Sequence, residues 1–141
     1  MTPFPSAGKA GGGPASDTIK NIRFWLQYLD SPTVKRASKI LGDNLAAKGL
    51  VRGANEAAHH IVLVTHEAAQ PARKVLAKFR IDINEAYNGV LLGKGVHSSI
   101  HTLKYIDDVN KRLVNAKTRQ QALDILEDIR FELSGGTQSI K

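Results

Sequence analysis

Apolar residues recur at intervals of three and four in five stretches of this 141-residue chain. This spacing predicts amphipathic helices over residues 17–29, 32–48, 65–80, 97–117 and 118–134. Local end signals support two of them. Ser31-Pro32 and Gly49 suit the start and the end of the second helix, and Thr118 with Gln121 forms a capping-box pattern before the last.

Two short runs do not follow the helical pattern. Residues 58–64 and 89–92 are rich in aliphatic side chains and predict short β-strands, separated by the predicted helix over 65–80. The first 16 residues are mostly Gly, Pro, Ala and Ser, which predicts a flexible tail or linker. We therefore expect one α+β, mostly helical domain over residues 17–136, with a helical lead-in over 17–50 and a C-terminal helix over 118–134.

Composition narrows the chemistry. The chain has no cysteine, which excludes a disulfide scaffold, a thiolate zinc site and a cysteine nucleophile. A net charge of +7 suits a polyanionic partner such as nucleic acid. No apolar run approaches the length of roughly 20 residues that a membrane-spanning helix needs, and no signal-peptide pattern is seen, so we expect no membrane insertion.

Four of the five histidines fall into two close pairs, His59/His60 and His97/His101. The second pair has i,i+4 spacing, which would place both rings on one face of the predicted helix, away from its apolar stripe. Together the pairs could form a three-ligand metal site with one imidazole left for proton transfer. The alternative is a pair of exposed histidines that share a face by chance. His66 is interpreted as an ordinary surface residue or a satisfied core residue; the alternatives are a helix cap or a residue that supports the metal ligands.

The doublet poses a geometric problem, because neighbours on a regular strand point to opposite faces. His59 and His60 could share one site if the strand starts there or is bulged.

The ordered motifs resemble one family: Ala58-His59-His60-Ile61-Val62, then Asn84, then Asn88-Gly89-Val90-Leu91-Leu92, then His97, His101, Thr102 and Tyr105. This order is similar to that of the AHH family of the HNH/endonuclease VII nuclease superfamily, whose members are typically C-terminal toxin domains of bacterial polymorphic toxins. The resemblance covers about residues 38–116. It departs at Leu63, where many relatives have proline.

The resemblance implies a ββα-metal core of the HNH or treble-clef-like type over residues 55–116, with its hairpin split by an inserted helix. In that core His60 resembles the general base, and Asn88 resembles the central asparagine that holds the loop orienting the base. The metal ligands are expected at His59, His97 and His101. Residues expected to contact the nucleic-acid backbone are Lys94, Lys104 and Arg112.

The hypothesis that follows is a metal-dependent, sequence-non-specific endonuclease, acting on DNA as a toxin inside a target cell. It would use one divalent ion (Mg²⁺, Zn²⁺, Ni²⁺ or Mn²⁺) and have a cognate immunity protein. An RNase with the same fold is an alternative of the same class. A basic nucleic-acid-binding module with a structural zinc is an alternative of a different class.

Overall fold

The computed structural model describes residues 31–93 and 100–140, and side chains from residue 36 onward. The predicted tail over 1–16, the predicted helix over 17–29 and Lys94, His97 and Lys141 lie outside these ranges. The described chain is mostly helical with one small sheet, an α+β arrangement. Its elements in order are α1 (Ser31–Ala47), β1 (Glu56–His60), α2 (Gln70–Lys78), β2 (Gly89–Gly93), α3 (Leu103–Val114) and α4 (Arg119–Leu133). No helix in these ranges is long and apolar enough to span a membrane.

Helix α1 forms where the apolar spacing predicted it. Ala37, Leu41 and Leu45 are fully buried on its inner face. Gly49 adopts a positive φ of 90° just after the helix, and the backbone N–H of Leu50 donates to the carbonyl of Leu45 at 2.9 Å. This left-handed glycine ends the helix by satisfying carbonyls of its last turn, as the sequence predicted.

The sheet has two strands, and β1 pairs antiparallel with β2. His60 lies opposite Gly89 at the end of the ladder. The predicted strand over 58–64 is wrong in its bounds, since β1 covers Glu56–His60 and the apolar residues 61–64 follow it outside the sheet. These four residues are nevertheless at most 6% exposed, so the apolar run marks burial and not strand conformation.

A close approach between α1 and β2 sets the position of the sheet. A Cβ at Gly89 would lie 2.7 Å from Cδ1 of Leu41 and 3.0 Å from Cδ1 of Leu45. The 2.7 Å approach is shorter than real Cβ contacts, so a side chain at Gly89 would displace the buried side chain of Leu41 or the helix that carries it.

Two helices begin later than the sequence predicted. The predicted helix over 65–80 is a 3₁₀ turn, Glu67–Ala69, followed by α2 with Pro71 in its first turn. The predicted helix from His97 begins at Leu103, because Thr102 is extended and its hydroxyl accepts the N–H of Tyr105. Leu103 is 67% exposed and does not belong to the buried face of the helix. It lies about a quarter turn from Ile106, Val109 and Leu113, which are buried.

Helix α4 anchors the sheet from the other side through Arg130, which is fully buried. Its Nε donates to the carbonyl of Gly89 at 2.8 Å, and its guanidinium also donates to the carbonyls of Ala86 and Tyr87 and to the carboxylate of Glu127. Glu127 is 9% exposed, so both members of this ion pair are buried. Arg130 thereby fixes the 3₁₀ turn Ala86–Asn88 that leads into β2.

Gln138, in the segment that follows α4, hydrogen-bonds to β2 through its side chain. The side-chain amide of Gln138 accepts the N–H of Leu91 at 2.8 Å and donates to its carbonyl at 2.7 Å. This pair of bonds satisfies the outer edge of β2 as a third strand would.

Candidate active site

A cleft of about 230 Å³ opens beside the end of β1. Four histidines line it: His59, His60, His66 and His101. The rest of the wall comes from Ser38 on α1, from the segment that follows β1 and from Ile100. The fold therefore gathers into one concavity imidazoles that are up to 42 positions apart in the sequence.

The doublet lines this cleft with both of its members. His60 is the last residue of β1 and is 7% exposed, whereas His59 is half-buried. We had expected a shared site only at a strand start or a bulge. The ladder instead pairs both residues, His59 with Val90 and His60 with Gly89, and the strand ends at His60.

His60 is held in one ring orientation by Asn84. Its Nε2 lies 2.8 Å from Oδ1 of Asn84, and both side chains are buried. An amide oxygen only accepts, so Nε2–H is the donor and Nδ1 keeps its lone pair. Burial lowers the pKa of His60 to about 4, an effect that the Asn84 bond opposes and that nearby His59 reinforces. The ring is therefore neutral at pH 7 and can accept a proton at Nδ1.

Asn84 is itself fixed by backbone contacts. Its carbonyl accepts from Nδ2 of Asn44 at 2.7 Å, and its N–H donates to Oδ1 of Asp82 at 2.8 Å. The sequence motif included Asn84 without assigning it a role. The structure places it as the partner that selects the tautomer of His60.

His101 reaches the same cleft from a 3₁₀ turn that precedes α3, and it is exposed. The described chain therefore does not place His101 on the α-helix that was predicted to carry His97 and His101 together. His97 lies outside the described residues. Within those residues no group of three histidine or carboxylate side chains could hold a metal ion, so a three-imidazole site would need His97.

Asn88 is fully buried and holds the segment after the doublet. Its Oδ1 accepts the N–H of Val62 at 2.9 Å, and its Nδ2 donates to the carbonyls of Val62 and Ile83. Its own carbonyl accepts the N–H of Ile61 at 2.7 Å. These bonds hold the backbone that follows His60, and none of them reaches the cleft.

Two further side chains complete the hold on residues 61–66. Nη1 of Arg73 donates at 2.8 Å to the carbonyls of both Leu63 and His66. Burial lowers the pKa of Arg73 to about 10, which still leaves it cationic at pH 7. The hydroxyl of Tyr105 on α3 donates to the carbonyl of Ile61 at 2.8 Å. Burial raises the pKa of Tyr105, which keeps that hydroxyl protonated and able to donate.

Because Tyr105 joins α3 to the residue after His60, Tyr105→Phe should both destabilise the fold and slow any reaction in the cleft. We expect a loss of about 1–2 kcal/mol in the free energy of unfolding, since the carbonyl of Ile61 is left buried without its donor. Urea unfolding measures it. Tyr87→Phe is the matched control, because the Tyr87 hydroxyl makes no hydrogen bond within residues 31–93 and 100–140; equal losses in both variants would contradict the assignment.

The basic residues predicted to contact nucleic acid divide into three cases. Lys94 lies outside the described residues. Lys104 is exposed on α3 and lines a shallow depression beside Leu103 and Asp107. Arg112 makes a two-pronged contact with Glu132 at 2.8 and 2.9 Å and a further ion pair with Asp108 at 3.2 Å. These carboxylates compete with a phosphate for Arg112.

His66 is the cleft residue that the sequence prediction did not include in the site. Its Nδ1 accepts the N–H of Ala68 at 3.1 Å and so caps the 3₁₀ turn Glu67–Ala69. The capping alternative was correct. The sequence did offer one signal that His66 belongs to the same cleft. The residue lies near the end of the apolar run that begins with the doublet.

Comparison with known proteins identifies the family but adds no close relative. Searches of curated proteins and of solved structures gave no significant match. The profile of AHH, described as a nuclease family of the HNH/ENDO VII superfamily with conserved AHH, matches residues 40–133, which is more than half of the chain and contains the doublet, Asn84, Asn88 and His101. The chain therefore belongs to the AHH family of nucleases.

Proposed function

We propose that this nuclease is a metal-dependent, sequence-non-specific endonuclease that hydrolyses phosphodiester bonds in DNA and acts as a bacterial toxin domain. The observation that carries the proposal is the buried His60, neutral and oriented by Asn84, in a cleft that His59 and His101 also line. The cleft lies at the end of β1, which pairs antiparallel with β2, and His101 lines it just before α3; this arrangement supports a ββα-metal core.

The ligands that we propose for a divalent ion are His59, His97 and His101. His59 and His101 line one cleft, and His97 is four residues before His101 in the sequence. Three imidazoles leave coordination positions open, as catalytic sites do. A divalent ion bound there would supply electrostatic stabilisation of the negative charge that develops on the phosphate.

The chain's own residues perform the proton transfer. A water molecule placed against Nδ1 of His60 loses its proton to that nitrogen as its oxygen attacks phosphorus and the P–O bond to the leaving oxygen breaks. The Nε2–H bond to Asn84 keeps the ring from turning and stabilises the imidazolium that forms. Asn88, Arg73 and Tyr105 hold the backbone of residues 61–66, so the segment that follows the base is fixed.

The positive charge of the chain supports binding through the phosphates of the nucleic acid. The chain carries a net charge of +7, and contacts to the backbone do not discriminate sequence. The resemblance to C-terminal domains of polymorphic toxins supports the toxin role. The same proposal includes delivery into a target cell and an immunity protein that binds and blocks the cleft.

Side-by-side digestion tests this function. Purified protein should nick and linearise plasmid DNA in Mg²⁺, Mn²⁺, Ni²⁺ or Zn²⁺, and EDTA should stop the reaction. Total RNA incubated in parallel distinguishes the RNase alternative, which predicts degradation of RNA and intact plasmid. If neither nucleic acid is cut with any of the four ions, and chelation unfolds the protein, the structural-zinc alternative is favoured and the proposal is wrong.

A further inference from the structure

His66 occupies an unassigned place in the candidate site. It lines the same cleft as His59, His60 and His101, and it is half-buried. Its backbone is fixed from two sides, because its carbonyl accepts Nη1 of Arg73 at 2.8 Å and the N–H of Ala69 at 3.0 Å. The ring is therefore attached to a rigid turn and not to a mobile loop end.

The capping bond determines which hydrogen the ring carries. Nδ1 accepts the N–H of Ala68 at 3.1 Å, so Nδ1 bears a lone pair and no hydrogen. In a neutral imidazole the hydrogen then lies on Nε2, which makes Nε2 a donor. A metal ion at Nε2 would require a lone pair there as well, which only the imidazolate anion has. His66 is thus unsuited to be a metal ligand while it caps the turn.

His60 and His66 differ in which ring nitrogen carries the hydrogen bond to the fold. The Nε2–H of His60 is used by Asn84, which leaves Nδ1 as the proton acceptor of a residue that lines the cleft. Nδ1 of His66 is used by Ala68, which leaves a proton donor. Since Nδ1 faces the backbone of the turn, the Nε2 edge is the one presented to the cleft that the ring lines. A phosphodiester offers only acceptor oxygens, so it complements this donor.

We propose that His66 is a substrate-contacting residue that donates its Nε2–H to a non-bridging oxygen of the scissile phosphate. This inference rests on the proposed nuclease function. The hydrogen stays on His66 throughout, so the contact adds no proton-transfer step to the reaction. Its effect is to orient the phosphate against the base and to stabilise the charge that accumulates on its oxygens.

The test compares variants that separate the donor from the cap. His66→Asn keeps a side-chain oxygen that can accept the N–H of Ala68, but it has no Nε2–H at the same reach. His66→Asp keeps the cap and adds a negative charge facing the phosphate. His66→Ala removes both functions and reports the contribution of the cap through its melting temperature.

Cleavage is measured on plasmid DNA and on thymidine 5′-(4-nitrophenyl phosphate), with Zn²⁺ affinity and melting temperature measured on the same samples. We expect His66→Asn to melt like the wild type, to bind Zn²⁺ equally well and to lower kcat/KM by about 10²-fold on both substrates. His66→Asp should be slower still. Equal losses on both substrates indicate a contact with the phosphate, because the small substrate has neither a long backbone nor a poor leaving group.

Two results would overturn the proposal. Wild-type rates in His66→Asn and His66→Asp would show that His66 only caps the turn. A tenfold or larger loss of Zn²⁺ affinity in His66→Asn would show that it is a metal ligand. Failure of the nuclease function itself is a different result, since the wild-type protein would then cleave neither substrate.

Discussion

His60→Ala is expected to lower kcat for DNA cleavage by about 10²- to 10⁴-fold, the usual contribution of a general base, without weakening DNA binding. His60 is the cleft residue whose lone pair at Nδ1 is assigned by a hydrogen bond elsewhere on the ring. Removing the ring removes the acceptor for the water's proton, but it leaves every lysine and arginine that could bind phosphate in place. Turnover is measured by plasmid nicking under saturating protein, and binding by fluorescence anisotropy of a labelled duplex in EDTA.

The matched control for His60→Ala is Ala57→Ser, which lies on the same strand with an exposed side chain. Ala57→Ser should cut at the wild-type rate and show that β1 tolerates substitution. Circular dichroism checks that His60→Ala keeps its fold, since the variant leaves Oδ1 of Asn84 without its donor. In cells, expression of wild-type protein should kill and His60→Ala should not. Normal cutting by a folded His60→Ala would mean that another group is the base.

Arg130→Met should lower the free energy of unfolding by about 3–5 kcal/mol, the largest stability loss expected for a single side chain here. Arg130 is fully buried, and its removal takes away the cation that balances the buried Glu127 carboxylate, although Ser139 and the N–H of Ile140 still donate to that carboxylate. It also removes the donors that hold the carbonyls of Ala86, Tyr87 and Gly89. Because these carbonyls flank Asn88, the variant should lose cleavage activity together with stability.

Urea unfolding with a matched pair of variants measures this effect. Arg112→Met removes another arginine–glutamate pair, but one whose partner Glu132 is 55% exposed, so its loss should stay below about 1 kcal/mol. Combining Arg130→Met with Glu127→Gln should recover part of the stability, because the uncompensated charge is gone. A loss in Arg130→Met no larger than that in Arg112→Met would show that the buried pair does not support the turn.

The parts of the fold that could be predicted are those with local determinants. Helices α1 and α4 begin and end at short-range signals, namely Pro32, Gly49, Thr118 and the glycines after Leu133. The segment 61–64 could not be predicted, because apolar residues in a row are compatible with a strand. Its backbone is held instead by side chains that lie 10 to 44 positions away: Arg73, Asn88 and Tyr105.

The site shows the same division. The doublet and His101 were identified from spacing and family order, and the cleft contains them. The pairing of His60 with Asn84 spans 24 positions, which no periodicity encodes. The start of α3 at Leu103 did have a local signal, because Thr102 is a good N-cap and was present in the recognised motif. The prediction of one helix that carries both His97 and His101 overlooked this N-cap.

The decisive experiment is a titration of the EDTA-stripped protein with Zn²⁺ or Ni²⁺, in which metal binding and plasmid cleavage are followed on the same samples. We expect cleavage to be absent without metal, to rise in proportion to the bound ion and to reach its plateau at one ion per chain. His59→Ala should lose both signals. Cleavage that proceeds in stripped protein, or one bound ion per chain with no cleavage of DNA, would contradict the claim that this cleft is a metal-dependent nuclease site.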